Sequence, residues 1–303
     1  MSTAATSAAP IDAATIILVR PAGHAFDVLF VQRQRSMAFM GGAHVFPGGK
    51  LDPVDCDPDA AAAVPEAVRS QAQTRLEPTP GRPLAPAVAL GLHVAAVREL
   101  FEEAGVLLAE PREPRVGVRQ GELAALRSRL ARREQSLARG LAELGLRPAI
   151  EGLHYWAHWV TPSLEPRRFD ARFFLAELPP GQHAEHDAQE SAALAWLTPA
   201  AALAAHARGE ILLPPPTLRN VEDLAAFDSL AALATAARSR RIAAVMPKIH
   251  PVDNLAAVLL PWDPLYETAS GDALAVPVPH PLASGPSRIV LRDGRWQSER
   301  AGS

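Results

Sequence analysis

The sequence predicts an α/β/α sandwich with a mixed sheet at its centre, and three observations lead there. Short apolar, β-branched runs come in pairs separated by Pro, Gly and Asp, as antiparallel strands do. One stretch, residues 94–105, carries an acidic arc opposite an apolar one at helical spacing. Strand runs do not alternate one for one with helical patterns, which argues against the βαβ rhythm of a doubly wound sheet.

Taken in order, residues 1–12 form a small-residue tail expected to be disordered. Residues 15–20 (TIILVR) and 28–33 (VLFVQR), separated by Pro21, Gly23 and Asp27, read as a strand, a turn and an antiparallel strand. Arg33 and Arg35 leave that second strand as candidate contacts for substrate phosphates, although arginines at strand ends are more often simply solvated. A Met- and Gly-bearing loop follows at 36–43. Residues 56–90, rich in Pro with one Asp-Pro-Asp, read as a loop insertion with room for one short helix.

After Gly105, residues 106–108 read as a short strand. Residues 121–144 read as a Leu-, Arg- and Glu-rich helical insertion, either one helix or two broken near Gly140. Its leucine stripe is expected to pack internally or to support a homodimer. Residues 154–161 (HYWAHWVT) and 168–178 (RFDARFFLAEL) read as strands joined by a Pro-bearing turn. Alternation there sets Arg168, Asp170 and Arg172 on one face, where the arginines are candidates for phosphate contacts. A further strand at 193–197 opens into a helix capped by Thr198 with Pro199 at its first position, ending before Gly209. Residues 213–217 read as a rigid link, and residues 221–238 as a helix capped by Asn220 or Thr217. Residues 241–303 read as a small β-rich C-terminal extension, which leaves 13–240 as the principal domain.

Composition narrows the function classes. The chain has 303 residues, a net charge of −3 and 48% hydrophobic residues, so it can bury a large core and carries no basic excess that would point to nucleic acid. The single Cys56 excludes an intramolecular disulfide framework and a cysteine zinc cage, and suits a reducing compartment. No basic n-region or unbroken apolar run suggests secretion or a membrane span. The expectation is a cytoplasmic protein.

The acidic arc carries the chemistry. Glu99, Glu102 and Glu103 fall within an arc of roughly 100°, opposite Val94, Val97, Leu100, Phe101 and Ala104. Glu99 and Glu103 form an i,i+4 like-charge pair that destabilises a helix by a few tenths of a kcal/mol, so a cation is expected among them. Clustered hard oxygens suit Mg²⁺ or Mn²⁺. Arg98 is placed to pair with Glu102. A solvated acidic face is the plainer alternative for any such pair.

Upstream, Phe46-Pro47-Gly48-Gly49-Lys50 and, downstream, Arg98-Glu99-Leu100-Phe101-Glu102-Glu103-Ala104-Gly105-Val106 together resemble the two halves of the Nudix box. Asp55 stands where the family pattern has its first Glu, and forty-two residues, from Cys56 to Val97, replace the usual seven-residue spacer. This interrupted box, with Trp159-Val160-Thr161-Pro162 and Arg168-Phe169-Asp170, is similar to a branch that includes the peroxisomal coenzyme A diphosphatases of animals.

The resemblance implies a Nudix-type α/β/α sandwich and metal-dependent hydrolysis of a diphosphate, with coenzyme A or acyl-coenzyme A as the expected small-molecule substrate. Glu99, Glu102 and Glu103 would hold metal, with Glu99 or Glu190 as base. Gly48 and Gly49 would let the loop backbone approach the helix, and Lys50 would touch phosphate. His183 and His186 are spaced like a metal pair but are expected to be loop residues. Two alternatives remain: a Nudix hydrolase of ADP-ribose or another nucleotide diphosphate derivative, and a non-catalytic nucleotide-binding Nudix module.

Overall fold

In the computed structural model, which describes residues 8–34, 41–113, 117–185 and 191–302, the sheet assembles around β1 (Ile11–Ala22). This strand pairs antiparallel with β2 (Ala25–Arg33) and parallel with a later strand. The strand begins at Ile11, four residues earlier than expected. Ile11 and Asp12 therefore belong to the sheet and not to a tail, because Asp12 has charged partners on the neighbouring elements.

Two short strands, β3 (His44–Val45) and β4 (Gly48–Lys50), add to β2 and β1 respectively. The insertion then forms a 3-10 turn (Pro53–Cys56) and two helices, α1 (Pro58–Ala63) and α2 (Glu66–Arg75), in place of a loop with one helix. Ala60, Ala63, Val64, Ala72 and Leu76 from this segment are buried in the main core. The box helix α3 (Pro86–Ala104) starts inside the region expected to be insertion. Proline at a first helical position lacks no hydrogen bond a helix needs and already has helical φ. Between Ala89 and Ala104 every residue of α3 is buried except Glu99, Glu102 and Glu103.

The strand expected at 106–108 is extended backbone without a strand partner, and β5 (Ala109–Pro111) pairs instead with β6 (Leu146–Pro148). The side-chain amide of Gln182 serves the backbone of Leu107 from both ends, at 2.8 Å for each bond. Between β5 and β6 lie α4 (Gln120–Ala131) and α5 (Leu137–Glu143), so the helical segment breaks at residues 132–136 and not near Gly140. Ser136 caps α5 by accepting from the Arg139 N–H. Leu126, Leu130, Leu137 and Leu141 are buried within the chain, and Leu123 and Leu144 pack partly buried against the same core.

β7 (His154–Val160) pairs antiparallel with β8 (Phe169–Glu177), the parallel partner of β1, and β9 (Ser191–Leu197) pairs with β2. The result is a seven-stranded mixed sheet. On one face it packs against α1 to α5; on the other it packs against α6 (Pro199–Ala207), α7 (Pro215–Leu224) and α8 (Leu230–Ser239). Thr198 caps α6 as expected. The expected link at 213–217 already contains the first turn of α7, again because prolines are tolerated there, and a separate Ser229 cap starts α8.

The extension forms an antiparallel sheet of β10 (Lys248–Val252), β11 (Leu255–Leu259), β12 (Arg288–Arg292) and β13 (Arg295–Glu299). Its two hairpins turn through Asp253-Asn254 and Asp293-Gly294, all at positive φ, as tight two-residue turns require. Val258, Leu260 and Ile289 join the core beneath α6 to α8, so this sheet is packed onto the rest of the chain. Among the described residues, no helix is long and apolar enough to cross a membrane.

Candidate active site

Arg98 organises the acidic arc. Its Nε and Nη2 grip both oxygens of Asp55 at 3.0 and 2.9 Å, Nη1 donates to Glu99 at 2.8 Å and to Glu102 at 3.4 Å, and Nη2 also reaches the Lys50 carbonyl at 3.0 Å. Asp55 is 1% exposed. It is held in turn by a reciprocal cap, with the Asp52 N–H donating to Asp55 Oδ2 and the Val54 N–H donating to Asp52 Oδ1. Asp55, at the variant box position, thus stands behind the arginine and not in the acidic arc. Its place in the box is that of an anchor.

Burial works against the Arg98 charge, but the hydrogen bonds to Asp55 and the charges of Glu99, Asp55 and Glu102 outweigh it and hold the guanidinium above its ordinary pKa. Burial pushes the Asp55 carboxyl up, and the hydrogen bonds and charge of Arg98 reduce that rise without cancelling it.

The glycine pair brings the β4 loop against α3. A Cβ on Gly49 would lie 2.4 to 2.7 Å from the carboxylate atoms of Glu99, so no larger residue fits unless Glu99 moves. The Gly48 N–H donates to Glu103 Oε2 at 3.2 Å. At the C-terminal end of the helix, Arg127 of α4 donates to the Glu102 carbonyl at 3.0 and 2.8 Å and to the Glu185 carbonyl, tying the helical insertion to the acidic turn.

A cleft of about 1770 Å³ opens over this turn. Arg33, Gly48, Gly49, Lys50, Arg98, Glu99, Glu102 and Glu103 all line it, so most of the expected residues are brought together. The Nε of Arg33 is buried there without a hydrogen-bond partner among the described residues. Arg35, Glu190 and His186 lie outside the described residues. His183 joins no group of metal-ligating side chains among those described.

Arg168 and Arg172 require correction: neither lines the cleft. Alternation on β8 turns Phe169, Ala171 and Phe173 to the cleft and Asp170 and Arg172 to the other face. Arg172 is 1% exposed and bonds Asp12, Asp170 and the Glu77 carbonyl, while Arg168 bonds the carbonyls of Ala8 and Thr161. The residues missed are on other cleft walls: Arg129, Arg133 and Arg139 from α4, α5 and their link, and Ile249, Val258 and Trp296 from the extension. Nothing local in the sequence marks them, since they arrive from segments far along the chain.

The donor set fits a hard divalent cation. Three carboxylates, Glu99, Glu102 and Glu103, face one cleft, and Arg98 pairs with two of them while Asp55 holds it from behind. Among the described residues no three His, Cys, Asp or Glu side chains converge closely enough to hold a metal ion by themselves. Mg²⁺ does not demand one, because it commonly takes one or two carboxylates and completes its shell with water and substrate phosphate.

With this geometry in hand, the match to known families becomes specific: the family model for the NUDT19 Nudix domain covers residues 3–224. The chain belongs to the Nudix hydrolase family. Two relatives of this Nudix chain are the human acyl-coenzyme A diphosphatase NUDT19, 33% identical over 278 residues with 81% of this chain and 74% of the relative covered, and its Gallus gallus counterpart, 32% identical with 80% and 73% covered. Among solved structures, a Nudix hydrolase from Alicyclobacillus acidocaldarius is 26% identical, superposes with a TM-score of 0.57, and covers 75% of this chain and 96% of its own. The seven-stranded mixed sheet between two helical layers is therefore the Nudix sandwich expected from the sequence. Nudix hydrolases generally use divalent metal ions, which agrees with the three carboxylates of α3 that line the cleft.

Proposed function

We propose that this Nudix hydrolase cleaves the diphosphate of coenzyme A or an acyl derivative with Mg²⁺ or Mn²⁺, giving 3′-phosphoadenosine 5′-phosphate and a 4′-phosphopantetheine product. The observation that carries the reading is the acidic turn of α3, where Glu99 and Glu102 are held by Arg98 and, with Glu103, open to a cleft larger than the roughly 300–1,000 Å³ of ordinary small-molecule sites. The names of the human and chicken relatives supply the substrate class.

Glu99, Glu102 and Glu103 are the residues that would hold the cation. When bound, it supplies charge neutralisation on the diphosphate and makes water more acidic. Arg98 fixes Glu99 and Glu102 in orientation, and Asp55 fixes Arg98. Glu99 is the described candidate for the base that takes the proton of the attacking water; Glu190 is the other candidate. Water adds to phosphorus, the bridging P–O bond breaks, and each product leaves with a terminal phosphate.

Arg33 and Lys50 supply cationic contacts on the cleft wall. Coenzyme A carries a 3′-phosphate beyond its diphosphate, and binding energy from that remote group should appear in kcat/KM. The test is a panel of coenzyme A, dephospho-coenzyme A, ADP-ribose, NADH and nucleoside triphosphates with Mg²⁺ or Mn²⁺. Coenzyme A is expected to give the highest kcat/KM and dephospho-coenzyme A a lower one, with activity abolished by chelator and restored by either metal. A preference for ADP-ribose moves the substrate to the general nucleotide diphosphates. No turnover of any compound with either metal leaves a binding module.

A further inference from the structure

The family model ends at residue 224, yet a later part of the chain walls the cleft. The register of the C-terminal sheet defines which part. Ile249 lies opposite Val258, Val258 opposite Ile289, and Leu291 opposite Trp296, so these residues share one face. The other face, with Ala257, Leu259 and Val290, closes over its own small core around Tyr266. On the first face Val258 and Ile289 are buried, while Ile249 is 38% exposed and Ala256 is exposed beside it. That exposed portion opens into the cleft that holds Glu99, Glu102 and Glu103.

The chemistry of this shelf differs from that of the acidic turn. The extension brings Pro247, Ile249, Ala256, Ala257 and Val258 to the cleft, all apolar, with Trp296 as its one side chain bearing a polar atom. Pro214 to Pro216 and Phe169 add apolar surface, while Thr161, Glu165, Arg167 and Thr217 line the same cleft. A nucleobase or ribose placed there would give up water for few partners, at a cost for each unpaired polar group. Hydrocarbon gains about 0.8 kcal/mol for each buried methylene. Lone exposed isoleucines are ordinary on a surface, whereas several apolar side chains from one sheet face gathered inside a cleft mark a ligand wall.

Resting on the coenzyme A reading above, we propose that this face of the C-terminal sheet is the acyl subsite, receiving the thioester end of acyl-coenzyme A while the diphosphate lies on the acidic turn. The extension then sets the preference for acyl chain over free thiol.

The test compares kcat/KM for coenzyme A, acetyl-, butanoyl- and octanoyl-coenzyme A in wild type, Ile249→Asp, Ala256→Asp and Ile249→Val, with calorimetric binding of coenzyme A and octanoyl-coenzyme A in metal-free buffer. In wild type kcat/KM is expected to rise about two- to fourfold per methylene over the first few carbons before levelling. Either aspartate is expected to collapse the octanoyl-to-free ratio at least tenfold, in catalysis and in binding, and Ile249→Val to preserve it. Ala256 is exposed, so its variant decides the matter if Ile249→Asp fails to fold. A wild type indifferent to chain length, or aspartate variants with an unchanged octanoyl-to-free ratio, overturns the proposal. Absence of turnover defeats the hydrolase reading instead, and the binding ratio still decides the shelf.

Discussion

Two arginine–carboxylate networks are built from the same residue types and differ in what they face, one closed in the interior and one open to the cleft. Beneath the insertion, Arg82 and Arg172 serve Asp12 and Asp170, two cations for two anions, and Thr79 and His158 close the remaining positions on Asp170. Asp170 and Arg172 are 0% and 1% exposed. At the cleft, Arg98 serves Asp55, Glu99 and Glu102, Glu103 takes the Gly48 N–H, and the three glutamates line open space. A buried network closed within itself holds elements together. Carboxylates that line an open cleft leave room for an ion and its waters. Access to the cleft, more than residue type, separates structure from function here.

The contrast breaks most visibly at Arg172. Its replacement by Met takes one of two guanidinium partners from the buried Asp170 carboxylate and leaves Arg82, Thr79 and His158; losing one partner of a buried pair costs up to about 3–5 kcal/mol. Urea unfolding should register that loss, while kcat/KM of the folded fraction stays within a few-fold of wild type. A large catalytic defect without a stability loss would return Arg172 to the substrate site. The reverse pattern is expected of Glu103→Gln and Glu102→Gln. Removing one carboxylate charge from the cation's set should lower kcat/KM by about two to three orders of magnitude. For Glu103→Gln the apo protein should be unchanged or a few tenths of a kcal/mol more stable, because the i,i+4 repulsion with Glu99 is relieved. Wild-type turnover in either variant removes the metal assignment.

A smaller effect tests the geometry of the cleft network. In Gly49→Ala the new methyl meets the Glu99 carboxylate at 2.4 to 2.7 Å, and the end of a flexible side chain is what must yield. Turnover should fall about ten- to a hundredfold through misplacement of Glu99, with melting temperature nearly unchanged. Unaltered kcat would show that Glu99 need not sit where it does.

The two networks were unequally legible in the sequence. Glu99, Glu102, Glu103, Gly48 and Gly49 were readable because helical period and glycine geometry act over a few residues, and they are the unburied stripe and close approach of the structure. Arg168 and Arg172 were misplaced for a physical reason. Alternation on β8 shows that the charged residues share a face, but nothing local says which face the insertion will cover. Thr79 and Arg82, which cover it, are about ninety residues away in sequence. The apolar wall of the cleft, including Ile249 and Trp296, was hidden for the same reason of distance. The sequence leaves residues 121–144 as one helix or two broken near Gly140 and reads 221–238 as one helix, because helical composition runs through both segments; tertiary packing with the Ser136 and Ser229 caps sets the breaks at residues 132–136 and 225–229.

Acid should separate the two networks without any substitution. Burial opposes the Asp170 charge, but the His158 hydrogen bond, the Arg172 and His158 charges and the Thr79 hydrogen bond outweigh it and hold this carboxyl well below the ordinary value of 3.8. Burial pushes His158 below its ordinary pKa although its hydrogen bond to Asp170 pulls the other way, and its Nε2 lies 2.6 Å from Asp170 Oδ1. A depressed carboxyl contributes stability that is fully present above its unfolded pKa and is lost as pH falls below that value toward the folded one. Asp55 has the opposite sign: burial raises it above 3.8, so the native state takes up its proton first, the grip on Arg98 loosens, and folding stability does not fall on that account. Activity should therefore decline on the acid side while the fold is still intact, and unfolding should follow only below about pH 4. Asp170→Asn should lower stability at pH 7 and flatten its dependence on pH below 4, while leaving the acid limb of activity in place. A pH–rate profile beside acid unfolding followed by circular dichroism makes the comparison. Coincident midpoints for activity and unfolding would mean that the cleft network fails only when the fold does.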